Sequence, residues 1–455
     1  MTMSDKRPLW KPSKQRIAAA NLTAFMRSAP RRWNAEFADF EALHRWSVTQ
    51  PEQFWTTLWD VAGVVAEKRG ERVLADANKM PGARWFPDAR LNFAENLLRG
   101  YATEHDTADA LVFWGEDKVK GRASHAELYR AVAQTARALR DMGVVKGDRV
   151  AAYLPNVPAA VVAMLATASI GAIFSSASPD FGVQGVFDRF GQIAPKVLFA
   201  CDGYFYNGKA IDCLGKVAEI AARMPSLERV VIVPYAGGGD MAALKQGVSL
   251  ADFLAPFARE KEIRFERLPF DHPLYILYSS GTTGVPKCIV HSAGGTLLQH
   301  LKEHRLHSDV KPGDRLFYFT TCGWMMWNWL VTGLASGATL LLYDGSPFVG
   351  RGNILFDYAE AEGMTHFGTS AKFIDAIAKI NLAPAKTHRL DALRAIFSTG
   401  SPLVPEAFDY VYRNLKRDVQ LASISGGTDI ISCFVLGNPI GPVWRGEIQC
   451  RGLGM

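Results

Sequence analysis

The sequence has no cysteine spacing that would indicate a metal site or a disulfide framework. Its 455 residues include only six cysteines, none of them in a Cys-x-x-Cys pair or at zinc-finger spacing. In a chain of this length the pattern is typical of reduced thiols, so we expect a cytoplasmic location. The polar, charged residues at positions 1–16 also lack the apolar core of a secretory signal.

Charge of one sign is nowhere concentrated. The formal net charge is +6, and no long run of like charges occurs. A nucleic-acid binder needs a concentrated basic stripe, so we expect no nucleic-acid partner. A mildly basic chain of this kind is compatible with a polyanionic small ligand such as a nucleotide.

One stretch, between Arg149 and Asp180, contains no charged residue. A spanning helix needs about 20 apolar residues in an unbroken run, whereas Pro155 and Pro158 interrupt this one and serines fill its end. We therefore expect no membrane span. The pattern instead predicts a buried strand over 150–154, a helix over 158–170 and then another strand.

Three regions are predicted along the chain. Residues 1–35 are expected to form a loose arm, and residues 36–100 are dense in aromatic residues at a spacing that fits short helices. From 101 to 455, short apolar strands alternate with helical patterns. This alternation predicts an α/β fold with two doubly wound, largely parallel sheets and helices on both faces. The final residues, 446–455, resemble a strand within a partial β subdomain.

A turn-then-strand phrase occurs twice, beginning at Lys146 and at Lys311. Two similar α/β halves would explain this echo, and a shared turn chemistry would explain it equally well. Asp314 and Arg315, within the second phrase, are expected to lie in a turn on a solvated face.

The run from Tyr278 to Lys287 carries the clearest chemical signal. A predicted buried strand leads into a segment rich in glycine, serine and threonine. The backbone N–H groups of such a segment can surround an anion. The spacing does not match the Walker loop. A flexible surface turn remains the structural alternative. The predicted phosphate-binding residues are Ser279, Ser280, Gly281, Thr282, Thr283, Gly284 and Lys287.

The run Tyr-Ser-Ser-Gly-Thr-Thr-Gly-x-Pro-Lys resembles the signature of the adenylate-forming enzymes, which include acyl-CoA synthetases, firefly luciferase and peptide-synthetase adenylation domains. Three further segments resemble that family's motifs in the same order: residues 366–373 (HFGTSAKF), 398–402 (STGSP) and 425–429 (SGGTD). The resemblance covers about residues 40 to 455. It implies the large N-terminal domain of the adenylate-forming fold.

The resemblance also implies site residues and ligands. ATP with Mg²⁺ and coenzyme A are the expected cofactor and co-substrate. Thr428, Asp429 and Lys287 are the implied catalytic residues: Thr428 at the α-phosphate, Asp429 at the magnesium ion and Lys287 at the pyrophosphate. The implied adenine pocket consists of Gly400, Ser401, Pro402, Ser425, Gly426 and Gly427.

The same resemblance narrows the choice of carboxylic acid that such an enzyme would activate. The aromatic region with LNFAENLL is similar to the N-terminal region of acetyl-, propionyl- and acetoacetyl-CoA synthetases. At 320–329 and 425–429 the sequence differs from the pattern of the acetate-activating enzymes. In both segments it resembles the members of the family that activate acetoacetate. An acyl pocket walled by Trp324, Met325, Met326 and Trp327 is implied, with core packing as the alternative. Two alternatives remain: the acid is propionate, hydroxybutyrate or acetate, or the chain is a non-catalytic module that only binds a nucleotide.

Two histidines, His300 and His304, have helical i, i+4 spacing, with His307 close behind. The sequence shows no third zinc ligand or HExxH order, so a solvated helix face is expected. His291, just after the phosphate loop, fits either a site role or a packed loop. Family members continue into a mobile lid that carries a catalytic lysine. Because this sequence ends before the segment that would form the lid, we expect this polypeptide alone to bind ATP weakly and to support little turnover.

Overall fold

The computed structural model describes residues 7–101, 106–237, 239–279 and 284–455. Helices and strands alternate through most of these residues. The α-helices are Lys14–Ala19, Asn21–Trp33, Phe40–Thr49, Pro51–Ala62, Phe93–Leu97, His125–Asp141, Pro158–Ser169, Val183–Phe190, Leu214–Ala222, Leu250–Leu254, Ala293–Lys302, Met325–Thr332, Ile354–Ala361, Ala371–Lys379, Pro384–Thr387 and Pro405–Tyr410. Shorter 3₁₀ turns lie at Met241–Ala243, Ala255–Phe257, Gly333–Ser336, Val349–Gly352 and Thr428–Ile430, and π-helical turns at Glu303–His307 and Val411–Leu415.

Two seven-stranded sheets dominate the fold. In the first sheet all neighbours are parallel except the last pair, which is an antiparallel hairpin. Its central strands are almost fully buried, as expected for a sheet covered by helices on both sides. In spatial order they are Gly247–Ser249, Arg229–Val233, Val197–Cys201, Arg149–Tyr153, Ile173–Ala177, Pro273–Ser279 and Lys287–Ser292.

The second sheet repeats this arrangement, with parallel neighbours and one antiparallel hairpin at the end. In spatial order its strands are Gln420–Ser423, Ala395–Thr399, His366–Ser370, Arg315–Tyr318, Thr339–Asp344, Asp109–Gly115 and Val119–Ser124. The prediction of two doubly wound sheets is confirmed.

The repeated phrase in the sequence marks corresponding strands of the two sheets. Strands Arg149–Tyr153 and Arg315–Tyr318 each lie fourth in their sheet. Before them, the Asp148 and Asp314 carboxylates accept from the backbone N–H three residues earlier at 2.9 and 2.8 Å. The echo therefore reflects the same turn leading into the central strand of two similar halves.

Smaller β elements complete the chain. A third, antiparallel sheet contains Ser425–Gly427, Ser432–Leu436 and Cys450–Arg451. The remaining strands form three two-stranded ribbons: Leu74–Ala75 with Arg84–Trp85, Arg90–Leu91 with Leu268–Pro269, and Gly203–Tyr206 with Lys209–Asp212.

The aromatic-rich region packs against the segment that leads into the first sheet's strand Pro273–Ser279. Trp59 stacks near Phe86 and Phe270, with ring centroids 4.8 and 6.4 Å from its own. The expectation of a loose N-terminal arm is wrong for the described part: Leu22 and Phe25 are fully buried, and Leu9 N donates to Val443 O at 2.9 Å. Apolar residues at helical spacing in Asn21–Trp33 account for this packing.

The uncharged stretch after Arg149 forms the predicted strand Arg149–Tyr153, helix Pro158–Ser169 and strand Ile173–Ala177. Pro158 is the first residue of the helix, where the missing N–H has no cost. Within the described residues, no helix has both the length and the apolar character needed to cross a membrane.

Candidate functional site

The predicted phosphate loop joins the two strands of the hairpin at the edge of the first sheet. Ser279 ends one strand directly opposite Lys287, which begins the next. The loop therefore emerges at the carboxyl end of a parallel strand, which is where open α/β sheets bind ligands. Gly284 has φ +99°, a conformation that favours glycine. Ser280, Gly281, Thr282 and Thr283 lie outside the described residues.

The Thr428–Ile430 turn lies against the strand that leads into this loop. A buried side chain holds it there: His291 Nε2 lies 2.7 Å from the Thr428 carbonyl oxygen and donates to it. Burial lowers the pKa of His291, so the ring is neutral near pH 7 and its Nε2 carries the proton. Asp429 is exposed beside this contact. The structure thus brings Thr428 and Asp429 against the hairpin that carries the phosphate loop.

The two segments of the predicted adenine pocket are neighbours. Ile424 N donates to Ser398 O at 2.8 Å, and Thr399 Oγ1 donates back to Ile424 O at 3.0 Å. Gly400 follows with φ +87°, which turns the chain out of its strand. These contacts place Gly400, Ser401 and Pro402 beside Ser425, Gly426 and Gly427. Ser401 is half-buried and Pro402 is exposed.

Gly426 and Gly427 differ in how much room surrounds them. A Cβ atom on Gly426 would lie 2.1 Å from the backbone oxygen of Ser432 on the paired strand. On Gly427 the nearest atom would be 3.9 Å away. Gly426 therefore allows close approach of two backbones, and only Gly427 borders open space.

The predicted acyl-pocket residues begin the helix Met325–Thr332. Trp324 is 64% exposed, so the core-packing alternative does not hold for it. Trp327 is fully buried, stacks near Phe174 and donates from Nε1 to Asn156 Oδ1 at 2.9 Å, so the core alternative does hold for this residue. Met325 is buried and Met326 half-buried between them.

The start of this helix is anchored to the first sheet. Ser176 Oγ donates to Cys322 O at 2.7 Å, and Cys322 Sγ donates to Pro155 O at 3.3 Å. Ser176 lies near the carboxyl end of the strand Ile173–Ala177, and Pro155 follows the carboxyl end of the strand Arg149–Tyr153, both in the first sheet. The acyl-pocket helix and the phosphate loop therefore face the same edge of that sheet.

The histidines expected on a solvated face are buried instead. His300, His304 and His307 are at most 1% exposed, because the Ala293–His307 segment packs between the first sheet and the third. Asp314 is buried too, and it accepts from Arg394 Nη2 at 2.6 Å. The expectations of a solvated helix face and a solvated Asp314 are wrong. Helical spacing identified a face but not its environment.

Glu303 was not predicted from the sequence as a functional residue. It is a buried carboxylate that accepts from the helix Met325–Thr332 and from the third sheet. It lies next to a buried Lys302, and a Lys-Glu pair in a helical pattern ordinarily indicates solvent. The described residues contain no cluster of three or more histidine, cysteine or acidic side chains arranged to hold a metal ion. The six cysteines are all free thiols.

Comparison with known proteins places this geometry in a family. Residues 98–446 match the model for AMP-binding enzyme, and residues 40–97 match that for acetyl-coenzyme A synthetase N-terminus. The chain is 59% identical to acetoacetyl-coenzyme A synthetase of Rhizobium meliloti (strain 1021), over 100% of this chain and 69% of that protein. It is 45% identical to acetoacetyl-CoA synthetase of Danio rerio, over 99% of this chain and 68% of that protein.

A solved structure agrees in fold. Acetoacetyl-CoA synthetase from Streptomyces lividans superposes with a TM-score of 0.93 at 44% identity, over 98% of this chain and 69% of that one. The chain thus spans about two thirds of the length of these relatives. On these matches it belongs to the AMP-binding enzyme family, among the acetoacetyl-CoA synthetases.

Proposed function

We propose that this chain carries the adenylation site of an acetoacetate–CoA ligase. The reaction joins acetoacetate to coenzyme A with cleavage of ATP to AMP and pyrophosphate, through an acyl-adenylate. The observation that carries the proposal is the contact from His291 to Thr428, which sets the Thr428–Asp429 turn against the hairpin that carries the phosphate loop. Two anion-handling segments, far apart in sequence, thereby meet at one sheet edge.

In the first half-reaction an acetoacetate oxygen attacks the α-phosphorus, and the bond to the β-phosphate oxygen breaks. A carboxylate must approach a polyanion, so catalysis depends on positioning and charge neutralisation. Lys287 supplies a positive charge at the departing pyrophosphate, and the Thr428 hydroxyl donates toward the α-phosphate. In the second half-reaction the coenzyme A sulfur attacks the acyl carbon, its proton is lost, and AMP leaves.

Magnesium fits the donor chemistry of this region. Mg²⁺ is usually held by one or two carboxylates together with phosphate oxygens and water. Asp429 offers an exposed carboxylate on the turn that packs against the phosphate-loop hairpin, and ATP would supply the remaining oxygens. Bound there, the ion would neutralise phosphate charge.

The segments that pair through Ile424 form the adenine side of the site in this proposal. Gly400, Ser401 and Pro402 supply one wall, and Ser425, Gly426 and Gly427 supply the other. Small residues on both walls let a flat ring lie against the backbone. The open space beside Gly427 is the part of this wall that faces a ligand.

The acyl side is formed by Trp324, Met325 and Met326, with Trp327 fixing the helix from behind. The exposed indole of Trp324 is available to a ligand at the sheet edge. Sharp preference for acetoacetate over a saturated acid requires polar contacts to the keto oxygen, because one methylene changes binding by only about 1–3 kcal/mol. Six free thiols are in keeping with a reducing, cytoplasmic location.

Binding of a hydrolysis-resistant acetoacetyl-adenylate analogue tests the proposal directly. The unchanged chain should bind this analogue more tightly than it binds AMP, and more tightly than the matching butyryl analogue. Acetoacetate-dependent exchange of pyrophosphate into ATP reports the first half-reaction separately. Equal affinity for AMP and the analogue would contradict the proposed site.

A further inference from the structure

Glu303 is a buried carboxylate with three hydrogen-bond donors. It is 1% exposed. It accepts from Ser432 Oγ at 2.5 Å, from Cys433 N at 2.8 Å and from Trp329 Nε1 at 2.9 Å. The buried ammonium of Lys302 lies 3.5 Å from the same carboxylate and supplies a compensating charge.

These donors belong to two different parts of the proposed site. Ser432 and Cys433 begin the strand that follows the Thr428–Ile430 turn. Trp329 lies on the helix Met325–Thr332, whose start carries the acyl-pocket residues. One carboxylate therefore connects the phosphate side of the site to its acyl side.

A second link runs beside the first. His300 Nδ1 lies 2.9 Å from Thr332 Oγ1, and its Nε2 lies 3.0 Å from the Ile431 carbonyl oxygen. Thr332 ends the same acyl-pocket helix, and Ile431 directly follows the same turn. Ile431 has φ +49°, a left-handed conformation that is costly for a β-branched residue and must be held by its surroundings.

A buried ion pair is an inefficient way to stabilise a fold. Removing two charges from water costs several kcal/mol per ion, and apolar residues of similar volume often serve stability as well or better. What a charged group with three directed hydrogen bonds offers is a fixed geometry between the segments that it joins. Glu303 lies between the phosphate side and the acyl side of the proposed site, so the geometry that it fixes is the position of one side relative to the other.

We propose that Glu303 is a positioning residue that fixes the acyl-pocket helix relative to the Thr428–Asp429 turn, so that acid and nucleotide are held in reacting register. This inference rests on the proposed function. Glu303 touches no reacting atom. A ligand that spans both sides, such as the joined adenylate, depends on that register, whereas AMP contacts only one side.

Two conservative variants each detach one side from the carboxylate. Ser432→Ala removes the hydroxyl donor on the phosphate side, and Trp329→Phe removes the indole N–H on the acyl side while keeping an aromatic ring. Each should weaken binding of the acetoacetyl-adenylate analogue about 10-fold, the usual effect of losing a hydrogen bond to a charged group. AMP binding should change by less than about 3-fold, well below that loss.

The double variant gives the sharpest readout. If both changes act through Glu303, the second adds little once the first has uncoupled the two sides, and the double variant should also lose about 10-fold rather than about 100-fold. Trp10→Phe is the matched control, because Trp10 Nε1 donates to the Asp418 carboxylate at 2.7 Å in the N-terminal segment. It should leave analogue binding unchanged.

The outcomes separate the two proposals. Additive losses, equal losses for AMP and analogue, or no loss at all in variants that unfold cooperatively would overturn the role of Glu303 while the proposed function stands. Failure of the unchanged chain to bind the analogue would overturn the proposed function, and the role of Glu303 with it.

Discussion

The imidazole of His291 lies 2.7 Å from the carbonyl oxygen of Thr428, across 137 residues of sequence. The histidine belongs to the strand Lys287–Ser292, which begins at the end of the phosphate loop. The threonine begins the turn that contains Asp429. A neutral ring that donates to a backbone carbonyl fixes the turn without placing a further charge near the phosphates.

Replacing His291 with phenylalanine keeps a ring and removes this donor. The Thr428 carbonyl then loses its partner, which costs about 1–3 kcal/mol and allows the turn to move. We expect the affinity for the adenylate analogue to fall about 10-fold, as measured by calorimetric titration.

His272→Phe provides the matched control. Its Nε2 lies 2.9 Å from the Gly171 carbonyl oxygen, a backbone acceptor before the strand Ile173–Ala177 and not on the Thr428–Asp429 turn. The control should lose similar stability and keep its affinity for the analogue. Equal affinity losses in both variants would indicate a general effect on folding.

Gly426 and Gly427 should respond differently to the same substitution. Gly426→Ala forces a methyl group against the Ser432 backbone oxygen, and the paired strand must move to relieve the overlap. We expect this variant to lose about 1–3 kcal/mol of unfolding free energy. Gly427 has φ −162° and open space around it, so Gly427→Ala should stay within about 0.5 kcal/mol of the unchanged chain. Urea unfolding compares the two, and equal losses would disprove the close approach at Gly426.

Strong local patterns made most of the fold predictable. Apolar runs of about five residues between helical patterns identified the strands of both large sheets, since buried parallel strands need little more than apolar side chains. The strand predicted over 150–154 is observed as Arg149–Tyr153, displaced by one residue. The helix predicted over 158–170 is observed as Pro158–Ser169. Strand ends depend on tertiary pairing that a local pattern does not contain.

The sequence did not predict whether individual polar and aromatic side chains are buried or exposed. The polar residues of Ala293–His307 follow a helical period, and a polar face is ordinarily a solvated one. Here Lys302, Glu303 and His307 are all buried, since they pair with groups on elements more than 20 residues distant. Trp324 and Trp327 show the converse: two identical side chains, three residues apart, lie in solvent and in the core.

Asp344 should make stability fall as pH rises. Burial, with the neighbouring Glu116 carboxylate adding to it, raises the pKa of Asp344 to about 7, whereas the unfolded value is about 4. Between these values the unfolded chain releases a proton that the folded chain retains, so this contribution is present below the lower value and is lost on the way to the higher one. Asp344→Asn lacks the effect.

Urea unfolding of the unchanged chain and of Asp344→Asn at several pH values tests this. Relative to the variant, the unchanged chain should lose about 2 kcal/mol between pH 5 and pH 7. Parallel stability curves would show that Asp344 ionises at its ordinary pKa in the folded protein.

His307 should have the opposite effect at acid pH. Its Nε2 accepts from Leu453 N at 3.1 Å, and its Nδ1 lies 2.8 Å from the Gly437 carbonyl oxygen and donates to it. The folded state therefore requires a neutral ring, and burial lowers the pKa of His307 to about 3. The unfolded chain takes up a proton near pH 6.5. Stability is thus fully present above that value and lost below it.

His307→Gln removes the titrating group and keeps an amide that can donate and accept. Between pH 7 and pH 5 the unchanged chain should lose about 2 kcal/mol more unfolding free energy than the variant. The comparison uses the same urea series at each pH, and the difference isolates His307 because every other titrating group is common to both proteins. A gap that stays constant with pH would show that His307 binds a proton as readily in the folded protein as in the unfolded chain.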